Sequence, residues 1–221
     1  AAFRGAAAAA ERKGFYLRAM AALRQLARHQ APADRPWAEL SGLAARLGLV
    51  GDALGFLDEG IRAWEEAGDV PAVLQALRRT RELAPDDVQR ALRLAHALRQ
   101  AGQGEEAMAL LAGEAGRHRA AGREDAWLAL AAERAGLTPS DRPLACEVAS
   151  AYLARGEPRK ALQRLQALLR ERAQHPDSLR LLVRVFEALG QPARRLAALR
   201  DLARSLTSLG RDASARPHWE A

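Results

Sequence analysis

The chain has 221 residues, 49% of them apolar and 28% charged, with 34 Lys and Arg against 27 Asp and Glu. Its 52 alanines and 35 leucines face only 11 β-branched residues, namely seven Val, one Ile and three Thr. Ala, Leu and Arg lose little side-chain freedom in a helix, whereas strands draw on β-branched and aromatic residues, so this composition excludes a sheet protein and most nucleotide-binding α/β folds.

Cys146, the single cysteine, can form neither an internal disulfide nor a Cys-rich zinc site. No apolar run approaches the ~20 residues of a membrane span. Ala6–Ala10 is too short for a signal sequence and runs into Glu11, Arg12 and Lys13. These features predict a cytoplasmic protein with no membrane partner. The chain opens with Ala rather than Met, so a fragment or a processed chain is expected. Charge is uneven: residues 1–154 hold 20 basic and 20 acidic side chains, and residues 155–221 hold 14 and 7, which is the whole excess of +7.

In chain order, one spacing of small and apolar residues recurs. The first unit runs Phe3, Ala6, Ala7, Ala10, Gly14, Ala19, Leu23, Leu26. The second runs Trp37, Leu40, Ser41, Ala44, Gly48, Ala53, Leu57. Ala91, Leu94, Ala95, Leu98, Gly102, Ala107 and Leu111 repeat it. So do Ala145, Val148, Ala149, Tyr152, Gly156, Ala161 and Leu165, and then Leu179, Leu182, Val183, Phe186, Gly190, Leu199 and Leu202. Apolar residues three and four apart form one helix stripe, and Gly ends the helix where a left-handed backbone costs nothing. The small Ala five residues on lets a second helix cross close by. Such a pair cannot bury its stripe alone, and stacked pairs can.

Two places break the register. Residues 51–67 read both as the second helix of the Trp37 unit and as the first helix of a unit with Trp64, Gly68, Leu77 and Pro85. Residues 123–136 read as a lone short helix. Thr138–Pro143 is the richest cluster of turn formers, and the main seam is placed there. This predicts N-terminal repeats over 1–137 and basic C-terminal repeats over 138–221 of one solenoid.

The spacing Trp37-x2-Leu40-Ser41-x2-Ala44-x3-Gly48-x4-Ala53-x3-Leu57 resembles the tetratricopeptide repeat, a helix–turn–helix unit of 34 residues. The unit over 142–174 keeps the family's Tyr at Tyr152, with Gly156 and Ala161 in place, whereas Ser41, Ala95, Ala149 and Val183 stand where the family has Gly. The resemblance implies an all-α solenoid of about twelve antiparallel helices. It also implies a groove, lined by the first helices, that holds a segment of a partner protein. Carried over position by position, the groove residues are Arg46, Gln89, His96, Arg99, Gln100, Ser150, Asp177, Arg180, Arg184 and Glu187. Arg180 and Arg184, four apart, share a helix face, and their planar forks suit carboxylates. The family's clamp for a C-terminal carboxylate needs Lys and Asn where these arginines stand, so that specificity is not expected.

Little else suggests chemistry. His29, His96, His118, His175 and His218 lack the spacing of a helical zinc site, and His118 lies between Arg117 and Arg119. Cys146 reads as a structural thiol. Gly102-Gln103-Gly104 lacks the Lys-Ser/Thr of a phosphate loop. Asp86-Asp87 and Glu105-Glu106 open helices, where acids satisfy free N–H groups. Only Trp219 is aromatic beyond Phe186, so the basic third lacks the stacking residues of a nucleic-acid binder. No cofactor, metal or catalytic residue is expected. Gly14–Ala21, Leu47–Ala53 and Leu77–Pro85 also resemble repeat proteins of myxobacteria, some of which act in motility and cell polarity with a Ras-like GTPase. The expectation is a non-enzymatic scaffold or adaptor for a partner with an acidic segment, which that resemblance extends to a small Ras-like GTPase. The alternative is the regulatory or sensor repeat region of a larger enzyme or transcription factor.

Overall fold

The computed structural model describes residues 2–169, 175–210 and 214, so His218 and Trp219 lie outside the described residues. Twelve α-helices and no strand occur among the described residues. They are α1 (Ala2–Arg12), α2 (Tyr16–Ala27), α3 (Trp37–Arg46), α4 (Val50–Ala67), α5 (Val70–Leu83) and α6 (Val88–Gln100). There follow α7 (Gly104–Ala120), α8 (Glu124–Leu137), α9 (Arg142–Ala154), α10 (Pro158–Leu169), α11 (Pro176–Ala188) and α12 (Pro192–Ser208). Helix therefore covers more than two-thirds of the sequence, as its composition predicts.

Most turns are made by glycine. Gly14, Gly48, Gly68, Gly102, Gly122, Gly156 and Gly190 all have φ between 64° and 78°, in the left-handed region that a Cβ disfavours. At Gly48 the next amide, Leu49 N–H, reaches back to the Ala44 carbonyl at 2.9 Å, closing the turn. Gly14 and Gly48 lie 34 residues apart, as do Gly68 and Gly102, Gly122 and Gly156, and Gly156 and Gly190. Of the links without glycine, that between α5 and α6 has Pro85 to break the helix and Asp87 to start the next, its carboxylate accepting from the amides of Gln89 and Arg90.

The chain forms two compact units, residues 1–110 and 111–221, with the boundary inside α7. In the first unit, successive helices pack antiparallel and side chains tie each helix to the next but one. Arg4–Glu39 and Arg46–Glu11 join α1 to α3, and Arg78–Glu106 joins α5 to the start of α7. Arg24 lies over the Phe56 ring, joining α2 to α4, and Arg90–Asp58 and Arg93–Glu65 join α4 to α6. The unit thus has two layers, α1, α3, α5 and the start of α7 in one, and α2, α4 and α6 in the other. Its core includes Ala19, Leu23, Trp37, Leu40, Ala44 and Ala53 from the stripes of the first two repeats, together with Met20 and Leu43.

This alternation settles the doubtful register. Helix α4 packs on both α3 and α5, so residues 51–67 belong to two continuous pairings. The Ala91–Gly102–Leu111 spacing, expected to mark a first helix followed by a second, instead joins a second-layer helix to a first-layer one. A glycine hairpin has the same local spacing in either sense, so the pattern carries no layer information. Residues 123–136 are no lone short helix either, since α8 spans 14 residues and packs on α9.

The second unit follows the same plan. Arg119–Glu147 joins α7 to α9, and Cys146 Sγ lies 3.5 Å from Ser178 Oγ between α9 and α11. Its core includes Ala149, Ala161, Leu165, Leu179, Leu182, Val185, Leu202 and Leu206. Ala161 and Leu165 are wholly buried, as expected. Tyr152, expected to be buried, is half-buried at the edge of that core, with the Lys160 ammonium 5.6 Å from its ring.

Candidate partner-binding clefts

In a two-layer stack, helices of one layer are separated by furrows floored by the other. In the first layer of unit one, a cleft of about 420 Å³ opens between α3 and α5 over α4. Leu57 and Trp64 form its floor, Ala38 one wall, and Ala72, Gln75, Ala76, Arg78, Arg79 and Glu82 the other. The floor is fixed by hydrogen bonding: the Trp64 indole donates to the Ala33 carbonyl at 2.9 Å, and the Trp37 indole to Pro32 at 2.8 Å. Both indoles hold the 3-10 turn Pro32–Asp34, which sets the entry of α3. The wall is charged and largely self-neutralised, Arg79 pairing with Glu82 and Arg78 with Glu106.

A neighbouring furrow of about 300 Å³ lies between α5 and α7 over Leu94 and Leu98 of α6, so Arg78 stands on the ridge between two first-layer clefts. On the second-layer side, α4 and α6 enclose two hollows over α5. One, of about 310 Å³, is lined by Trp64, Val70, Val73, Leu74, Ala97 and Gln100 among others. The other holds Asp58, Asp87, Gln89, Arg90 and Arg93.

The residues expected in a groove are therefore divided. Arg46 belongs to α3, where it pairs with Glu11 at 2.6 Å. Gln89, His96, Arg99 and Gln100 are exposed on α6, in the second layer, and do not share a furrow with Arg46. Gln89 and Gln100 lie at the two hollows facing α4. In unit two, Ser150 is half-buried on α9, while Arg180, Arg184 and Glu187 are exposed on α11. Arg180 pairs with Asp177 at 2.8 Å and Glu187 lies 3.9 Å from Arg195, whereas Arg184 has no ion-pair partner among the described residues.

Sequence reasoning missed Gln75, Arg78, Arg79 and Glu82, because α5 was not assigned to the groove layer. The available signal was Gly68, whose tight turn after Gly48 makes α4 a single crossing between two helices of one layer. It also missed two buried polar side chains on α7, Glu114 and His118. Glu114 pairs with Arg117. Among the described residues, no group of three or more His, Cys, Asp or Glu could hold a metal ion, and no helix is long and apolar enough to cross a membrane.

No protein-family model and no curated protein sequence matches this chain. Solved structures resemble it at low identity. A tetratricopeptide repeat protein from Parabacteroides merdae is 14% identical over 92% of this chain and 91% of its own, with a TM-score of 0.35. The TPR2AB domain of yeast Sti1, in complex with pHSP90, is 10% identical over 99% and 95%, with a TM-score of 0.44. A signal-transduction ATPase with a tetratricopeptide repeat sensor from Pyrococcus horikoshii is 13% identical over 96% of this chain but 35% of its own, with a TM-score of 0.38. On its own geometry, of left-handed glycine turns at 34-residue intervals and alternating layers, the chain is an all-α protein of tetratricopeptide-like helical repeats.

Proposed function

We propose that this protein is a non-enzymatic interaction scaffold that holds a segment of a partner protein against its first-layer helices. The observation that carries this reading is the α3–α5 cleft, whose apolar floor of Leu57 and Trp64 lies beneath a rim of Gln75, Arg78, Arg79 and Glu82. Apolar floors with a few polar groups at the rim are how proteins bury an anchor side chain and fix its direction. On α11, Arg184 offers an uncommitted guanidinium and Arg180 one shared only with an exposed Asp177. The planar donor fork of each fits a carboxylate. The cleft would take an apolar anchor of a partner, and the α11 arginines, separately, an acidic stretch. A small Ras-like GTPase is the partner class to which the myxobacterial resemblance points.

The test is a panel of synthetic peptides, acidic-amphipathic, neutral and basic, titrated by fluorescence anisotropy, with a Ras-like GTPase in its two nucleotide states as a further ligand. The acidic peptides should bind best. Gln75→Glu with Arg79→Glu should weaken them at least about tenfold, the loss expected when an interface anchor site is disrupted. Equal binding of all three peptide classes would reject the acidic-segment reading. Binding untouched by the cleft variants would remove the cleft from it.

A further inference from the structure

The α1–α2 and α3–α4 turns carry a feature that folding does not require. The residue before the first turn of a helix is best a side chain that accepts from a free amide, as Asp69, Asp87 and Asp141 do for α5, α6 and α9. At α2 and α4 that residue is Phe15 and Leu49, and neither helix has a side-chain cap. Both are exposed, Phe15 by 50% and Leu49 by 42%, and so are their neighbours Leu17 by 68% and Val50 by 42%. Two successive hairpins thus give up a cap and present large apolar side chains to water at equivalent positions.

The two turns adjoin. Arg46, two residues before Gly48, bonds Glu11, three before Gly14, at 2.6 Å, and its guanidinium lies 5.8 Å from the Tyr16 ring. Around them stand Arg12, Lys13 and Arg18, all exposed and without an acidic partner among the described residues. Arg18 rests on the Phe15 ring, 5.2 Å from its centroid. The acids on the same edge are Glu11, which is held by Arg46, and Asp52 in the first turn of α4. The ridge therefore combines apolar tips with a cationic surround.

We infer that this ridge of Phe15, Leu17, Leu49 and Val50 docks on an anionic phospholipid surface. The tips of two helical hairpins are knobs, and a bilayer interface takes apolar knobs to the depth of the acyl boundary without a preformed pocket. Arg12, Lys13 and Arg18 have the stem length to lie along the apolar surface and place their charges at the phosphate level. An acidic protein segment would supply the charge but would need a cavity of its own for four apolar tips. The sequence-based expectation of no membrane partner concerns a span and an amphipathic helix, and this ridge is neither.

The test is sedimentation of the full chain with phosphatidylcholine vesicles, with and without phosphatidylserine. Binding is expected to the anionic vesicles and to fall with added salt. The double variant Phe15→Ser and Leu49→Ser should reduce the bound fraction at least about fivefold. Serine can cap both helices, so an unchanged melting curve will show that the fold is kept. Arg12→Glu with Lys13→Glu should act in the same direction. The proposal fails if anionic vesicles are not bound or are bound no better than neutral ones. It also fails if the ridge variants leave binding unchanged, which would assign it to the basic C-terminal third. Loss of an acidic protein ligand in these variants, without vesicle binding by the parent chain, would equally overturn it.

Discussion

Arg90 of α6 donates from Nη1 and Nη2 to the two carboxylate oxygens of Asp58 on α4, each at 3.0 Å, across 32 residues of chain. This fork fixes the spacing of two second-layer helices. Arg93, also on α6, extends it to Glu65, and Asp87 adds a third carboxylate beside Arg90. The Asp58 hydrogen bond, more than any other cause, raises the Arg90 pKa above the ordinary arginine value despite partial burial. A base whose folded pKa is raised stabilises the fold below its unfolded pKa, so this contribution is complete at neutral pH and is lost only in strong alkali. The pair is partly exposed, and solvent screening limits its worth. A double-mutant cycle of Asp58→Ala and Arg90→Ala should give a coupling of about 1–2 kcal/mol, unchanged between pH 7 and 10. A coupling near zero would show that water already satisfies both groups.

A second prediction concerns Gly60 on α4. A Cβ there would stand 2.8 Å from Trp37 Cβ and 2.8 Å from Trp64 Cζ3, both on bulky, anchored side chains. Gly60→Ala should therefore destabilise by about 1–3 kcal/mol, although alanine favours a helix interior. Gly136 on α8 is the control. Its Cβ would meet only the tip of Arg164, Nη1 at 3.1 Å, which can swing away. Gly136→Ala should be neutral or stabilise by up to about 1 kcal/mol. Thermal melts of the two variants decide both expectations.

The extent to which the fold was legible follows from what each signal measures. The stripes of Leu40, Ala44, Ala53 and Leu57, and of Ala149, Ala161 and Leu165, are buried because period and burial are two sides of one constraint. Gly48 and Gly156 marked turns because their backbone conformation excludes most other residues. Layer identity was not legible. Gly102 closes the α6–α7 hairpin with the same local spacing as Gly48 closes α3–α4, and it takes long-range pairs such as Asp58–Arg90 and Arg78–Glu106 to distinguish them. The candidate site inherited that ambiguity, which is why Gln89 and Gln100 were grouped with Arg46 while Arg78 and Arg79 were passed over.

The core of unit two gives a third prediction. Ala161 of α10 is wholly buried in the cluster that holds Ala149 and Leu165. A guanidinium there would be forced into a close helix crossing. Ala161→Arg should cost roughly 3 kcal/mol or more. Chemical denaturation with an unchanged midpoint would mean that α9 and α10 do not cross at this residue.

The last prediction separates solvation from recognition on α11. Arg180 and Arg184 lie four apart and exposed, the first tied only to Asp177 within its own helix turn. An exposed pair of that kind contributes a few tenths of a kcal/mol at most. Removing both side chains should leave the melting temperature within about 2 °C of the parent. The same change should weaken an acidic peptide. If the arginines only steer the approach, the on-rate alone falls and the effect vanishes at high salt. If they become desolvated against carboxylates, the off-rate rises, by the equivalent of about 2–5 kcal/mol per lost partner. Stopped-flow binding at low and high salt distinguishes these outcomes. An affinity that survives the double change Arg180→Ala and Arg184→Ala at both salt concentrations would assign recognition to the α3–α5 cleft and leave the α11 arginines as a solvated face.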